Sequence, residues 1–232
     1  MIAFYAERAR GGTGLLVVEA TYVDEIGRRL RFNSMLHDDH FIPGMRRLVE
    51  SIHAGGAKAA LQIAHGGRES RTEITGHVPV APSPIISLYT SVGAPALPRE
   101  MMVEEIQSVV SAFADAAERA RQAGFDAVEL HGAHAYLTGQ FLSPVANRRE
   151  DDYGGSVEKR SRFYVEILRA IKTRLGEDYP VICRMNGSTC SRAALRSLRP
   201  SRPLAFSSGP ARMRSASRRA FTRRALTQSS LA

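Results

Sequence analysis

The chain has 232 residues, 44% hydrophobic and 24% charged, the balance of a globular protein with one large domain or two small ones and not of a disordered chain, a collagen or a coiled-coil rod. No apolar run reaches the roughly 18 residues of a membrane helix, MIAFYAERARGG has no apolar signal-peptide core, and Cys183 and Cys190 make no disulfide framework, so a cytoplasmic protein with no membrane partner is expected. The net charge of +9 hides an asymmetry: of the 32 Lys and Arg, ten, all Arg, fall in residues 189–232, which hold none of the 23 acidic residues, while residues 1–188 keep the other 22 basic side chains.

Along residues 1–188 one phrase repeats: amphipathic helix, glycine, apolar strand. Residues 3–9 read as the end of a helix stopped by Gly11 and Gly12, and 15–20 (LLVVEA) as a buried strand. Asp38 or Asp39 is expected to cap a helix through Ile52, stopped by Gly55 and Gly56, with a strand over 59–63. Val103–Gln122 has Ile106, Val109, Val110, Phe113 and Ala117 on one helical face; Gly124 ends it before a strand over 127–130. Ser156 is expected to cap a helix through Leu175 with Phe163, Ile167, Leu168 and Ile171 inward, and Gly176 to end it before a strand over 181–184.

Four strands alternating with helices predict an α/β fold with a parallel sheet and right-handed crossovers. Loops entering the strands are short and loops leaving them are long, about 17, 35 and 24 residues after Ala20, His65 and His131. That asymmetry fits a (β/α)₈ TIM barrel, whose site is built at the C-terminal strand ends. No Gly-x-Gly-x-x-Gly turn follows a strand, and Gly11-Gly12-Thr13-Gly14 precedes one, which speaks against a nucleotide-binding doubly wound sheet. Four strands do not close such a barrel, so it is expected as a partial barrel of about four strands over 1–188.

Polar residues gather at the strand ends: Glu19 and Ala20, Gln62 and His65, Glu129, His131 and His134, Arg184 and Asn186. Glu19 and Glu129 are either a glycosidase carboxylate pair or two loop anchors. His131 and His134, three apart, suit either a metal, with His65 as third ligand, or a pair of neutral N–H donors to a developing oxyanion. The donor pair is the better fit because no acidic cluster accompanies them, and Tyr136 then offers a phenolic proton. Gln62 amid Ala and Ile needs hydrogen-bond partners, which either a flat heterocycle or a loop carbonyl supplies. Arg184 at an apolar strand end needs an anionic or electron-rich partner, a ligand or a salt bridge.

The stretches 129–137 (ELHGAHAYL), 140–144 (QFLSP), 147–149 (NRR) and 153–156 (YGGS) closely resemble the old yellow enzyme family of FMN-dependent ene-reductases, as does 61–68 (LQIAHGGR). Val18-Glu19-Ala20-Thr21 fits the strand before it. The resemblance covers residues 1–188 and is nearest the bacterial branch with a paired-His site. It implies a flavin-bearing (β/α)₈ barrel, with FMN touched by the Ala20 backbone, hydrogen-bonded by Gln62 at its pyrimidine edge, and approached by Arg184. It further implies His131 and His134 as holders of a substrate carbonyl, Tyr136 as proton donor, NAD(P)H as reductant, an activated alkene (enone or enoate) as substrate, and no resident metal. Intact relatives are expected to form homo-oligomers.

The family's first strand and its last strands have no counterpart in this sequence, so an inactive truncated fragment is the alternative expectation, with little FMN retained. Residues 189–232, rich in Arg and Ser with Phe206 and Phe221 as the aromatics, are expected to be disordered. They have the composition of GC-rich DNA read out of frame. A basic-tailed nucleic-acid-binding protein is the remaining alternative, disfavoured by the few stacking aromatics, the absence of Lys and the lack of an RNA motif.

Overall fold

A computed structural model describes residues 1–87 and 96–187; the Arg-rich tail and the expectations attached to it lie outside them. In chain order the elements are α1 (Ile2–Arg10), β1 (Leu15–Tyr22), α2 (Ile42–Ala54), β2 (Lys58–Ala64), α3 (Thr72–Thr75), β3 (Val80–Ala81), β4 (Arg99–Glu100), α4 (Val103–Ala123), β5 (Ala127–Gly132), α5 (Leu137–Leu142), α6 (Val157–Leu175) and β6 (Val181–Met185). The four expected strands pair in parallel in the order β1-β2-β5-β6, and β3 and β4 form a separate two-stranded ribbon in the long loop after β2. The sheet is the partial barrel that the alternating pattern predicts. No helix among the described residues is long and apolar enough to cross a membrane.

Strand alternation gives this sheet two unlike faces. Leu16 and Val18, Ala59, Leu61 and Ile63, Val128 and Leu130, and Cys183 join one core with Leu48, Ile52, Ile106, Phe113, Phe163, Ile167 and Ile171 of α2, α4 and α6. The remaining positions carry Gln62, Glu129, His131 and Arg184. The parallel register pairs Gln62 with Glu129 and His131 with Arg184, so these four share the second face. Between Val18↔Leu61 and Thr21↔Ile63 the register shifts, so Glu19 and Ala20 lie against Gln62 alone. This bulge re-aims the end of β1 at the rim where the polar residues gather.

The helix ends follow the glycines. Gly124 takes the left-handed conformation (φ 101°) that closes α4, and its N–H bonds the carbonyls of Ala120 and Arg121. Ser156 caps α6 by accepting from the Lys159 N–H. The expected cap of α2 differs. Asp38 accepts from the His40 N–H and caps a 3₁₀ turn, Asp39–Phe41, after which α2 starts at Ile42 with Pro43 in its first turn. An Asx bond reaching two residues on suits a tight turn, and proline, lacking an N–H, fits the helix start.

At the opposite end of the sheet, Asp126 ties α2 to two strands. Its carboxylate accepts from the Ala59 N–H (2.9 Å), Lys58 Nζ (2.7 Å) and His53 Nε2 (2.8 Å). Its pKa falls to about 2 because these bonds outweigh the cost of burial.

Phe113 is fully buried where α4 meets the sheet. Phe113→Ala is expected to cost about 3–5 kcal/mol, read as a lower urea midpoint with an unchanged slope; a loss under 1 kcal/mol would remove α4 from the core.

Candidate functional site

The site lies at the C-terminal ends of the four parallel strands, on the face turned away from the helices. Its centre is Glu129, 4% exposed on β5. Gln62 Nε2 donates to Glu129 Oε1 at 2.5 Å. Arg184 Nη1 stands 4.0 Å from the same oxygen. Glu129 is therefore a partner of both Gln62 and Arg184, and its contacts reach the two neighbouring strands, not a loop as the anchor reading expected. Glu19 sits on the exposed side of β1, where its N–H donates to the Tyr5 hydroxyl.

Beyond β5 the chain turns sharply. His134 and Ala135 both adopt left-handed backbone, φ 56° and 59°, a conformation costing a non-glycine residue about 1–2 kcal/mol. The turn is held in place from several sides. Leu137 N–H donates to the His65 carbonyl at 2.9 Å, the Thr138 hydroxyl donates to the His131 carbonyl, and the His134 N–H donates to Asn186 Oδ1 at 3.4 Å. Gln140, 1% exposed, donates through one amide to the carbonyls of Ala135 (2.6 Å) and Gly66 (3.1 Å), tying this turn to the loop after β2. Gly67 permits that approach: its φ is 59°, and a side chain there would strike the Gln140 amide.

The turn folds three rings together. His131 lies 5.0 Å, centroid to centroid, from His134 and 5.0 Å, edge to face, from Tyr136. His131 is 2% exposed. Burial lowers its pKa to about 3, with His134 and Arg184 pushing the same way, so the imidazole is neutral at physiological pH. Its Nδ1 is buried without a hydrogen-bond partner. A buried polar atom with no partner is costly unless a ligand meets it.

His65 does not join this cluster as a metal ligand. Its Nδ1 accepts from the Gly67 N–H at 3.0 Å, its ring packs where a Gly27 side chain would have to stand, and burial lowers its pKa to about 4 despite the opposing charge of Asp24. Among the described residues no group of three or more His, Cys, Asp or Glu could hold a metal ion.

The structure thus brings Ala20, Gln62, His131, His134, Tyr136 and Arg184 to one rim. It adds residues to which sequence reasoning gave no part. Tyr22, at the end of β1, donates from its hydroxyl to that of Tyr136 at 3.2 Å, and Arg29 Nη1 donates to the same oxygen at 3.4 Å. Their position on the segment leaving a strand was the available signal. Asn147 and Arg149, within the recognised stretch, are structural: Asn147 Nδ2 bonds the carbonyls of Phe141 and Tyr153, and Arg149 bonds those of Pro82 and Met101 and the Asp151 carboxylate.

Comparisons with known proteins point the same way. The model of the NADH:flavin oxidoreductase / NADH oxidase family matches residues 1–197. An NADH oxidase of Thermoanaerobacter brockii is 46% identical over 188 residues, 80% of this chain and 28% of that protein. An NADPH dehydrogenase of Listeria innocua serovar 6a is 43% identical over 194 residues, 84% of this chain and 55% of that one. Among solved structures, morphinone reductase superposes with a TM-score of 0.72 at 35% identity, over 79% of this chain and 52% of its own. Old Yellow Enzyme from Pichia sp. AKU4542 gives 0.76 at 30% identity, over 84% and 52%. The chain spans about a quarter to a half of the length of these relatives.

The two buried imidazoles make stability pH-dependent. In the unfolded chain they gain protons as pH falls through about 6.5; in the folded chain His65 waits until about 4 and His131 until about 3. The unfolded state then binds more protons, so stability drops as pH falls from about 6.5 toward 4, by up to about 1.4 kcal/mol per pH unit for each histidine. Urea midpoints at pH 7, 6 and 5 are expected to fall less steeply in His131→Asn than in the parent; parallel slopes would deny the buried neutral state.

Proposed function

The chain belongs to the NADH:flavin oxidoreductase / NADH oxidase family, and from that premise we propose that residues 1–188 form the flavin-binding half of an FMN-dependent, NAD(P)H-driven reductase of activated alkenes. The observation that carries this reading is the unpartnered, neutral His131 beside His134 and Tyr136 on the same face as Gln62 and Arg184.

The residues present suit a flavin ring. Glu129 takes one N–H of the Gln62 amide, and the amide retains a second N–H and its carbonyl, adjacent donor and acceptor for a pyrimidine edge. The bulge at Glu19 and Ala20 sets a small side chain and its backbone beside Gln62. Arg184, held toward Glu129, brings positive charge to the same rim. When bound, the flavin supplies two electrons as hydride, replenished by NAD(P)H.

The chain's own residues supply the rest. His131, neutral, and His134 hold a substrate carbonyl oxygen as N–H donors. A donor placed where negative charge develops is worth about 3–4 kcal/mol in the transition state. Tyr136 gives its phenolic proton to the substrate α-carbon. The four described strands supply the ring contacts; in eight-stranded barrels a phosphate site is commonly built by loops after strands seven and eight, which are not among the described residues.

Two measurements test this reading. Lumiflavin, which has the ring but no phosphate, isolates the ring contacts. Its fluorescence titration into the chain is expected to show binding weakened about fivefold to tenfold by Gln62→Ala, and equal binding by both proteins would overturn the ring-edge role. In the flavin-loaded protein, Tyr136→Phe is expected to slow alkene reduction about 100-fold or more while flavin reduction by NAD(P)H is unchanged. Equal loss in both half-reactions would sink the proton-donor role.

A further inference from the structure

We propose that Tyr22 and Arg29 are positioning residues for Tyr136, saturating its phenolic oxygen so that its proton points into the site and the tyrosinate left after proton transfer is held by a hydroxyl and a guanidinium. The inference rests on the proton-donor reading of Tyr136 and goes beyond it by assigning what makes that phenol a competent donor.

A tyrosine hydroxyl has one proton and two lone pairs. In this structure Tyr22 Oη donates to the Tyr136 oxygen at 3.2 Å and Arg29 Nη1 donates to it at 3.4 Å. With both lone pairs engaged from the β1 side, the remaining valence is the O–H bond itself. The His131 ring lies edge to face against the Tyr136 ring at 5.0 Å and 5.0 Å from the His134 ring, so the phenol that Tyr22 and Arg29 hold also packs against the first of the two histidines.

The two donors are suited to the task in different ways. Tyr22 is 1% exposed; burial, with Tyr136 beside it, raises its pKa, so it stays a protonated donor. Arg29 is partly exposed and stays charged: burial opposes the cation, and the Tyr136 phenol, Tyr22 and Glu69 together outweigh that cost. Its guanidinium carbon lies 6.0 Å from the Tyr136 ring centre. In the transfer the Tyr136 O–H bond breaks and a C–H bond forms at the substrate α-carbon. The O–H electron pair remains on oxygen, and water returns a proton to it. A charge-assisted bond from arginine strengthens as the negative charge appears, which favours the transfer over the resting state.

The test uses Tyr22→Phe, which keeps the ring and removes only the hydroxyl, and Arg29→Met, with Arg29→Lys as the conservative replacement. Tetranitromethane nitrates tyrosinate, and Tyr136 is partly exposed. In the flavin-free chain the rate of Tyr136 nitration, followed by mass spectrometry, is expected to fall about fivefold in Arg29→Met and about threefold in Tyr22→Phe. Arg29→Lys should recover most of the loss, as a merely structural role would not. In the flavin-loaded protein both variants are expected to slow alkene reduction about 10-fold and to leave flavin reduction by NAD(P)H unchanged. If Tyr136→Phe slows alkene reduction and neither variant changes the nitration rate or the ratio of half-reactions, the positioning role is overturned and the proton-donor reading stands. If Tyr136→Phe has no effect on alkene reduction, the donor reading has failed and this inference falls with it, whatever the nitration rates.

Discussion

Glu129 is the residue on which the polar face depends. A buried carboxylate is expensive unless hydrogen-bonded and paired, and this one has both kinds of partner on neighbouring strands: the Gln62 amide at 2.5 Å from β2 and the Arg184 guanidinium at 4.0 Å from β6. The three strands are linked by a side-chain row as well as by their backbone ladder. Removing Glu129 would leave the Gln62 amide and a cation at a largely apolar strand end without their common acceptor. The short bond fixes the direction of Gln62 before any ligand arrives, and preorganisation of that kind lowers the ordering cost of binding.

That row exists because alternation along each strand separates two tasks. Leu61, Ile63, Val128 and Leu130 face the helices and join the core, while Gln62 and Glu129 between them face the site. A slip of one residue in any strand would put the carboxylate into the helix layer and leucine into the site, so the apolar packing that stabilises the sheet also specifies the site's register. Small residues complete the polar side: Ala60, Ala64 and Ala127 are buried yet lie outside the main core cluster.

The repeating helix–glycine–strand phrase was readable because each helix packs one apolar stripe and each glycine stops it locally. Strand order, the two faces and the gathering of Gln62, His131 and Arg184 at one rim follow from parity and parallel pairing alone. The bulge at Glu19 and Ala20 was not readable, since apolar alternation continues through it. Nor was the 3₁₀ turn before α2, where Asp38 spends its cap two residues away. Glu129 was visible as a strand-end acid, but its partners 67 and 55 positions away in sequence are set by register. The contacts of Tyr22 and Arg29 with Tyr136 join the end of β1 and the loop after it to the turn after β5, and no local spacing encodes them.

The turn after β5 shows why the site is built as it is. Two consecutive non-glycine residues in left-handed backbone are unfavourable by themselves, and glycine at both would remove the strain. Glycine at position 134, however, would remove the second imidazole, and glycine at 135 would widen the conformations open to the segment that carries Tyr136. The strain is instead offset by bonds that converge on the turn from three directions: the His65 carbonyl from the β2 side, Thr138 and Gln140 from α5 just beyond the turn, and Asn186 from the end of β6. Each of these anchors comes from a segment that also borders the polar face. The strained conformation is therefore held by the neighbouring strand ends as well as by α5, so the pairing of His131, His134 and Tyr136 depends on the assembled sheet and not on the HGAHAY segment by itself.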